Sequence, residues 1–157
     1  RNQYIHHGAH IGIDGATVFH FRPKSDTPRR FTHYRAFAAD RGGKDKAQQA
    51  AGPKSKRAQP PGAGKYRWTQ KLPVLTRAMV LAKDRLCMAG PPDLFESDSP
   101  AAALKGGEGG LLCVLSTSDG KLITKYELKS PPVFDGLVAA RKHLYLCTRN
   151  GAVTRLR

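Results

Sequence analysis

Acidic side chains are scarce in this chain: 12 Asp and Glu stand against 27 Lys and Arg, a formal net charge of +15. Such an excess invites a nucleic-acid reading, but its distribution argues against one. Residues 41–67 alone carry +7, so close to half of the excess sits in one low-complexity stretch. A solvated basic linker is the simpler account of such a block. Long apolar runs are missing too, and none approaches the roughly 18 residues of a membrane-spanning helix. Cysteine is sparse. Cys87, Cys113 and Cys147 each lie in an apolar stretch, outside any C-x-x-C or Cys/His spacing. They read as small buried hydrophobes rather than metal ligands, and the odd count leaves one thiol over. The chain has no G-x-x-x-x-G-K-[ST] phosphate loop, no G-x-S-x-G elbow and no H-E-x-x-H zinc motif. It opens on Arg1 rather than methionine, so a piece of a longer protein is expected.

What is present is β patterning, clearest from Ser130 to Arg157. Val133–Ala140 is apolar and β-branched, Arg141-Lys142-His143 turns the chain, and Leu144–Thr148 runs back. Arg149-Asn150-Gly151 turns it again into Ala152–Leu156. Asn-Gly between apolar runs predicts a hairpin with a type I′ turn, which requires positive φ at both central residues.

This pattern occurs once more upstream. At an offset of 58 residues Trp68 falls on Tyr126, Pro73 on Pro131, Ala82 on Ala140, Leu86 on Leu144 and Met88 on Leu146. Beyond Gly90 the upstream copy carries extra residues and resumes with Gly110 matching Gly151 at an offset of 41, which places a 17-residue insertion between Gly90 and Gly110. A repeated unit of four short strands with one variable loop is a propeller-blade signature.

Around these copies the rest of the chain falls into place. Residues 4–21 read as strand, Asp14-Gly15 turn, strand, and Phe31–Asp40 as a further strand. Arg22–Arg30, with two prolines and five charges, reads as a loop. Arg41–Lys65 contains no Val, Ile, Leu, Phe, Tyr or Trp, too little apolar area to offset ordering entropy, and is expected to be disordered. Ala78–Ala82 and Leu86–Ala89 are strands about a Lys83-Asp84-Arg85 turn. Gly90–Gly109 is the insertion, with room for one helical turn at Ala101–Leu104. Leu111–Ser116 is the third strand, and Ser118-Asp119-Gly120 turns into an outer strand, Lys121–Leu128. There Leu122, Thr124, Tyr126 and Leu128 share one side, and lysines on the strand discourage edge-to-edge pairing. The expected fold is all-β: a partial propeller of two to three four-stranded antiparallel blades. Its parts are a partial blade at 1–40, a basic loop at 41–65, a blade at 66–128 with its insertion at 90–109, and C-terminal blade strands at 129–157.

The stretches LVAARKHLYLCTRNGAVTRLR and GLLCVLSTSDGKLITKYEL resemble the repeat of PQQ-like, quinoprotein-type β-propellers. In that family the outer strand ends near a tryptophan that packs between blades. Trp68 takes that position in the upstream copy and Tyr126 in the downstream one. PPVFDGLVAA is similar to the final blade of the large propeller proteins of planctomycete-type bacteria. The resemblance spans Tyr66 to Arg157 and fits residues 1–40 loosely. No Gly-His or Trp-Asp pair points to WD repeats, and no Gly-Gly strand ending to kelch. The resemblance implies further blades from the same polypeptide and an exported or periplasmic location.

No residue stands out as catalytic, cofactor-binding or metal-ligating. Quinoprotein dehydrogenases place a quinone, a calcium ion and an acidic base on the axis, often beside adjacent cysteines, and this chain has no Cys-Cys pair. Asp14, Asp84 and Asp119 sit in turns, where an acid usually bonds its own backbone. Asp135 reads as a strand-end or bulge residue. His6 and His7 would point to opposite faces of a strand, His10 and His20 are isolated, and His33 and His143 lie in or near turns. Phe31, Tyr34, Tyr66 and Trp68 among basic residues suit single-strand stacking, but packing between blades accounts for them more simply. GGEGG at 106–110 precedes no helix and is a loop exit. The expectation is therefore a non-catalytic scaffold with no cofactor. It would contact a protein partner through Arg41–Lys65 and the 90–109 insertion. The alternatives are the tail of a quinone-dependent dehydrogenase and a basic nucleic-acid binder.

Overall fold

The computed structural model describes residues 11–14, 17–27, 30–40, 66–93 and 99–157. They are all-β apart from one short helix, and they form three antiparallel sheets. The first sheet runs β1 (Ile11–Asp14), β2 (Thr17–Thr27), β3 (Arg30–Asp40) and β4 (Trp68–Leu72) in spatial order. The second is a meander of β5 (Ala78–Ala82), β6 (Arg85–Gly90), β7 (Gly110–Ser116) and β8 (Leu122–Leu128). The third has three strands, β9 (Pro132–Ala140), β10 (His143–Thr148) and β11 (Val153–Leu156). Helix α1 (Pro100–Lys105) lies in the insertion between β6 and β7, which remain paired neighbours across it, Gly90 opposite Leu111.

Alternation along the strands builds the core. On β6, Leu86 and Met88 face one way and Cys87 and Ala89 the other; on β7, Cys113 and Leu115 alternate with Leu112 and Val114. The first set joins Tyr34, Ala36, Ala38, Trp68 and Leu72 of the first sheet in one cluster. The second set joins Leu137 and Leu146 of the third sheet in another. The middle sheet is thus buried on both faces, with a neighbour on each side. The two repeat copies stack face to face. The sheets approach most closely along their first strands, β1 to β5 and β5 to β9.

Three expectations need correction. The segment expected to open the second unit at residue 66 belongs to the first sheet, because Tyr34 pairs with Leu72 and Ala38 with Trp68. A repeat offset fixes the length of a unit but not its starting point, and here the fourth strand closes the preceding sheet. Arg22–Arg30 is not a loop. Strand β2 continues to Thr27, with Pro23 opposite Tyr34 and register shifts about Ser25. The described pairing with β1 ends at His20, so Pro23 sits where β2 is paired on one side, a position a strand tolerates for proline. Finally, Asn150-Gly151 does not form the expected type I′ turn: Gly151 has φ +83, while Asn150 is not among the positive-φ residues. Gly151 N–H donates to Thr148 O at 3.0 Å and Thr148 N–H to Ala152 O at 2.9 Å. This is a three-residue loop closed by a left-handed glycine. The doubly positive turn is instead Arg141-Lys142, with φ +49 and +64.

The expected Asp14-Gly15 turn, the His6-His7 pair, His10 and the basic stretch Arg41–Lys65 lie wholly or partly outside the described residues.

Candidate functional site

A cleft of about 550 Å³ opens between the second and third sheets. Its rim is two short turns from equivalent places in the repeat: Lys83-Asp84-Arg85 joins β5 to β6, and Arg141-Lys142-His143 joins β9 to β10. Stacking one copy on the other sets these turns side by side. The cleft floor is apolar, with Cys87, Leu112 and Val114 from the second sheet and Leu144 and Leu156 from the third. Thr124 and Tyr126 of β8 form one wall. Leu128, on that same side of β8, packs into the cluster with the third sheet, as the alternation of the strand requires.

Five cations line this cleft, Lys83, Arg85, Arg141, Lys142 and Arg157, against the single acid Asp84. All six side chains are exposed, so the charge stands at the mouth and the apolar surface below it. Lys83, Arg141 and Lys142 hold left-handed backbone, with φ from +49 to +64, which costs a non-glycine residue roughly 1–2 kcal/mol. His143 Nδ1 lies 2.8 Å from Arg141 O and the ring sits 6.3 Å from Tyr145.

The cleft exists because β8 has no strand opposite it in the third sheet. The first two sheets show what such a strand does. Trp68, on β4, crosses to the turn between β7 and β8. Its Nε1–H donates to Thr117 O at 2.8 Å, and its ring lies on Gly120, where a methyl group would run into the indole. Trp68 is 8% exposed. Its repeat equivalent Tyr126 is 47% exposed and meets no such turn among the described residues.

The acids singled out in the sequence do not gather here. Asp119 makes the turn bond expected of it, accepting from Lys121 N–H at 3.2 Å with Lys121 Nζ at 3.3 Å. Hydrogen bonds from Ser116 and then from the Lys121 backbone hold its carboxyl below the usual range. Asp135 lies in a bulge of β9, at φ +54, with its N–H on Arg77 O. Buried Asp93, which sequence reading passed over, raises the Tyr34 phenol to about 12 together with the larger effect of burial. Among the described residues no three of His, Cys, Asp and Glu converge as metal ligands.

The cysteines are free. Burial pushes the Cys87 thiol up and the Cys113 thiol to about 11, on opposite faces of the middle sheet. Tyr34 and Trp68 belong to the core and are not open for stacking, while Tyr66 packs on Phe37 at 4.6 Å. The insertion is anchored to the third sheet: Arg149 donates to Lys105 O at 2.9 Å, and Gly106 abuts Pro131.

The cleft was not singled out in the sequence because each turn was read by itself. The signal was available, since Lys83 and Arg141 are 58 residues apart, the offset that aligns the copies. No known protein family and no curated protein matches this chain.

Proposed function

We propose that this chain is part of a quinoprotein-type β-propeller that acts as a non-catalytic scaffold and binds another protein at its rim. The observation that carries the reading is the seat of Trp68 on Gly120, a tryptophan from one sheet locked onto a turn of the next. The approach of the sheets along their first strands supports the same arrangement. A sheet of this kind cannot bury both faces alone. The middle sheet does so between two neighbours, whereas the third leaves Val138 and Val153 exposed at 56% and 69%, a face suited to a further blade. The charged mouth and apolar floor of the cleft suit a protein contact rather than chemistry at a reacting atom.

Reconstitution tests the scaffold against the enzyme reading. The protein is incubated with pyrroloquinoline quinone and calcium, then assayed for dye reduction with primary alcohols and aldoses. Neither turnover nor a quinone-dependent rise in Tm is expected, and either result would favour the dehydrogenase tail. Filter binding of single-stranded DNA, with and without residues 41–65, tests the nucleic-acid reading. Retention that disappears with the deletion would favour it.

A further inference from the structure

We propose that the free edge of β11 and the adjoining cleft take up an extended acidic peptide, added as a fourth antiparallel strand to the third sheet. The proposal deepens the scaffold reading and rests on it. The first two sheets have four strands and the third has three, and among the described residues nothing pairs with the far edge of β11. Thr148 N–H bonds Ala152 O, so residues 152, 154 and 156 direct their backbone groups at β10. By the alternation of an antiparallel ladder, Val153 and Arg155 direct theirs outward. Those outward groups are a template for strand addition, in which the main chain supplies affinity and side chains supply specificity.

The wall that such a strand would cover is already shaped for it. Thr124 and Tyr126 of β8 face the vacant place, as the middle sheet faces β4 through the turn that holds Trp68. Charge decides the chemistry of the occupant. Lys83, Arg85, Arg141 and Lys142 stand at the end of the cleft where Leu156 pairs with Leu144. A strand antiparallel to β11 begins at that end, so its carboxylates belong in its N-terminal half and its aliphatic residues at alternate positions after them. The same positive charge argues against a second copy of this chain as occupant, because two molecules at +15 repel.

Fluorescence anisotropy tests this with a labelled, end-capped peptide of about eight residues, two glutamates followed by alternating valine and threonine, titrated with the full chain. Saturable binding that weakens with salt is expected. The double variant Arg85→Glu, Lys142→Glu should weaken it by about tenfold or more, since each lost charge-assisted contact is worth about 1.5–3 kcal/mol. Val153→Pro removes one outward N–H at an edge position that tolerates proline and should also weaken binding, with the Tm of the protein as the folding control. A peptide methylated on the backbone nitrogens that face β11 gives the same test with the protein untouched. The proposal is overturned by a Kd above about 1 mM, by equal affinity for the N-methylated or reversed-order peptide, by a single-stranded oligonucleotide that binds more tightly, or by concentration-dependent dimers that block the peptide. Peptide failure with no quinone turnover would leave the scaffold reading standing and remove only this partner.

Discussion

Gly120 answers to two demands. Its φ of +73 is one that side-chain-bearing residues rarely adopt, and the indole of Trp68 occupies the space a Cβ would need. Gly120→Ala should therefore cost roughly 2–4 kcal/mol, combining backbone strain with displacement of a packed aromatic. Trp68 is the sole tryptophan, so its emission should shift to the red in this variant, and urea denaturation gives the loss directly. Lys142 presents the opposite case. Its left-handed backbone gains nothing from a side chain that lies exposed, so Lys142→Gly should raise stability by about 0.5–1 kcal/mol. The same change should weaken the acidic peptide, separating the role of the residue in the fold from its role at the cleft. Tyr34 sets a pH dependence. Its phenol is held protonated to about pH 12 in the fold, against about 10 unfolded. Between those values the folded state carries one more proton than the unfolded state, so stability is intact below pH 10 and falls as pH rises toward 12. Tyr34→Phe should flatten that fall, seen as a smaller drop in urea midpoint between pH 9 and 11.5 relative to the parent.

At the scale of elements, the strands with apolar alternation were legible. Ala78–Ala82 has the expected bounds, and β7, β8 and β10 differ from expectation by one residue at their starts. What misled was punctuation. Pro23 and the charges beside it suggest a loop, yet a long hairpin absorbs them because one side of β2 is open there. Asn-Gly correctly marked a hairpin but not its turn type, which depends on how many residues the ladder leaves unpaired; the sequence carries no local mark of that number. Helix α1 is six residues long, too short to persist unaided. It stays because Arg149 holds the carbonyl of Lys105. Arg149→Ala should leave all three sheets in place while amide exchange quickens at Gly106 and Gly107, whose N–H groups bond Ala103 and Ala102.

For the whole molecule, repetition made the stacking legible: two matching copies imply two sheets that lie together, and the cluster of Leu112, Val114, Leu137 and Leu146 is their seam. The phase of the repeat was not legible, because a period of 58 residues says nothing about which strand comes first. The cleft was hidden for a related reason, as it belongs to neither copy and arises only where equivalent turns are brought together. A layered stack also dictates how the molecule comes apart. The middle sheet has a neighbour on each face, while the third has one neighbour and an open outer face. Stability in such an array is close to a sum of sheet and seam contributions. Leu146 is fully buried in the outer seam, and Leu86 is fully buried in the seam with the first sheet. Each change to alanine should cost about 2–5 kcal/mol at its own seam. Leu146→Ala should then release the third sheet alone, with fast exchange across β9 to β11 and protection retained in β6 and β7. Leu86→Ala should instead expose Trp68 and lower protection on both sides of the inner seam. Equal loss of protection across all eleven strands in both variants would mean that the three sheets unfold as one cooperative body, and the account of separable layers would fail.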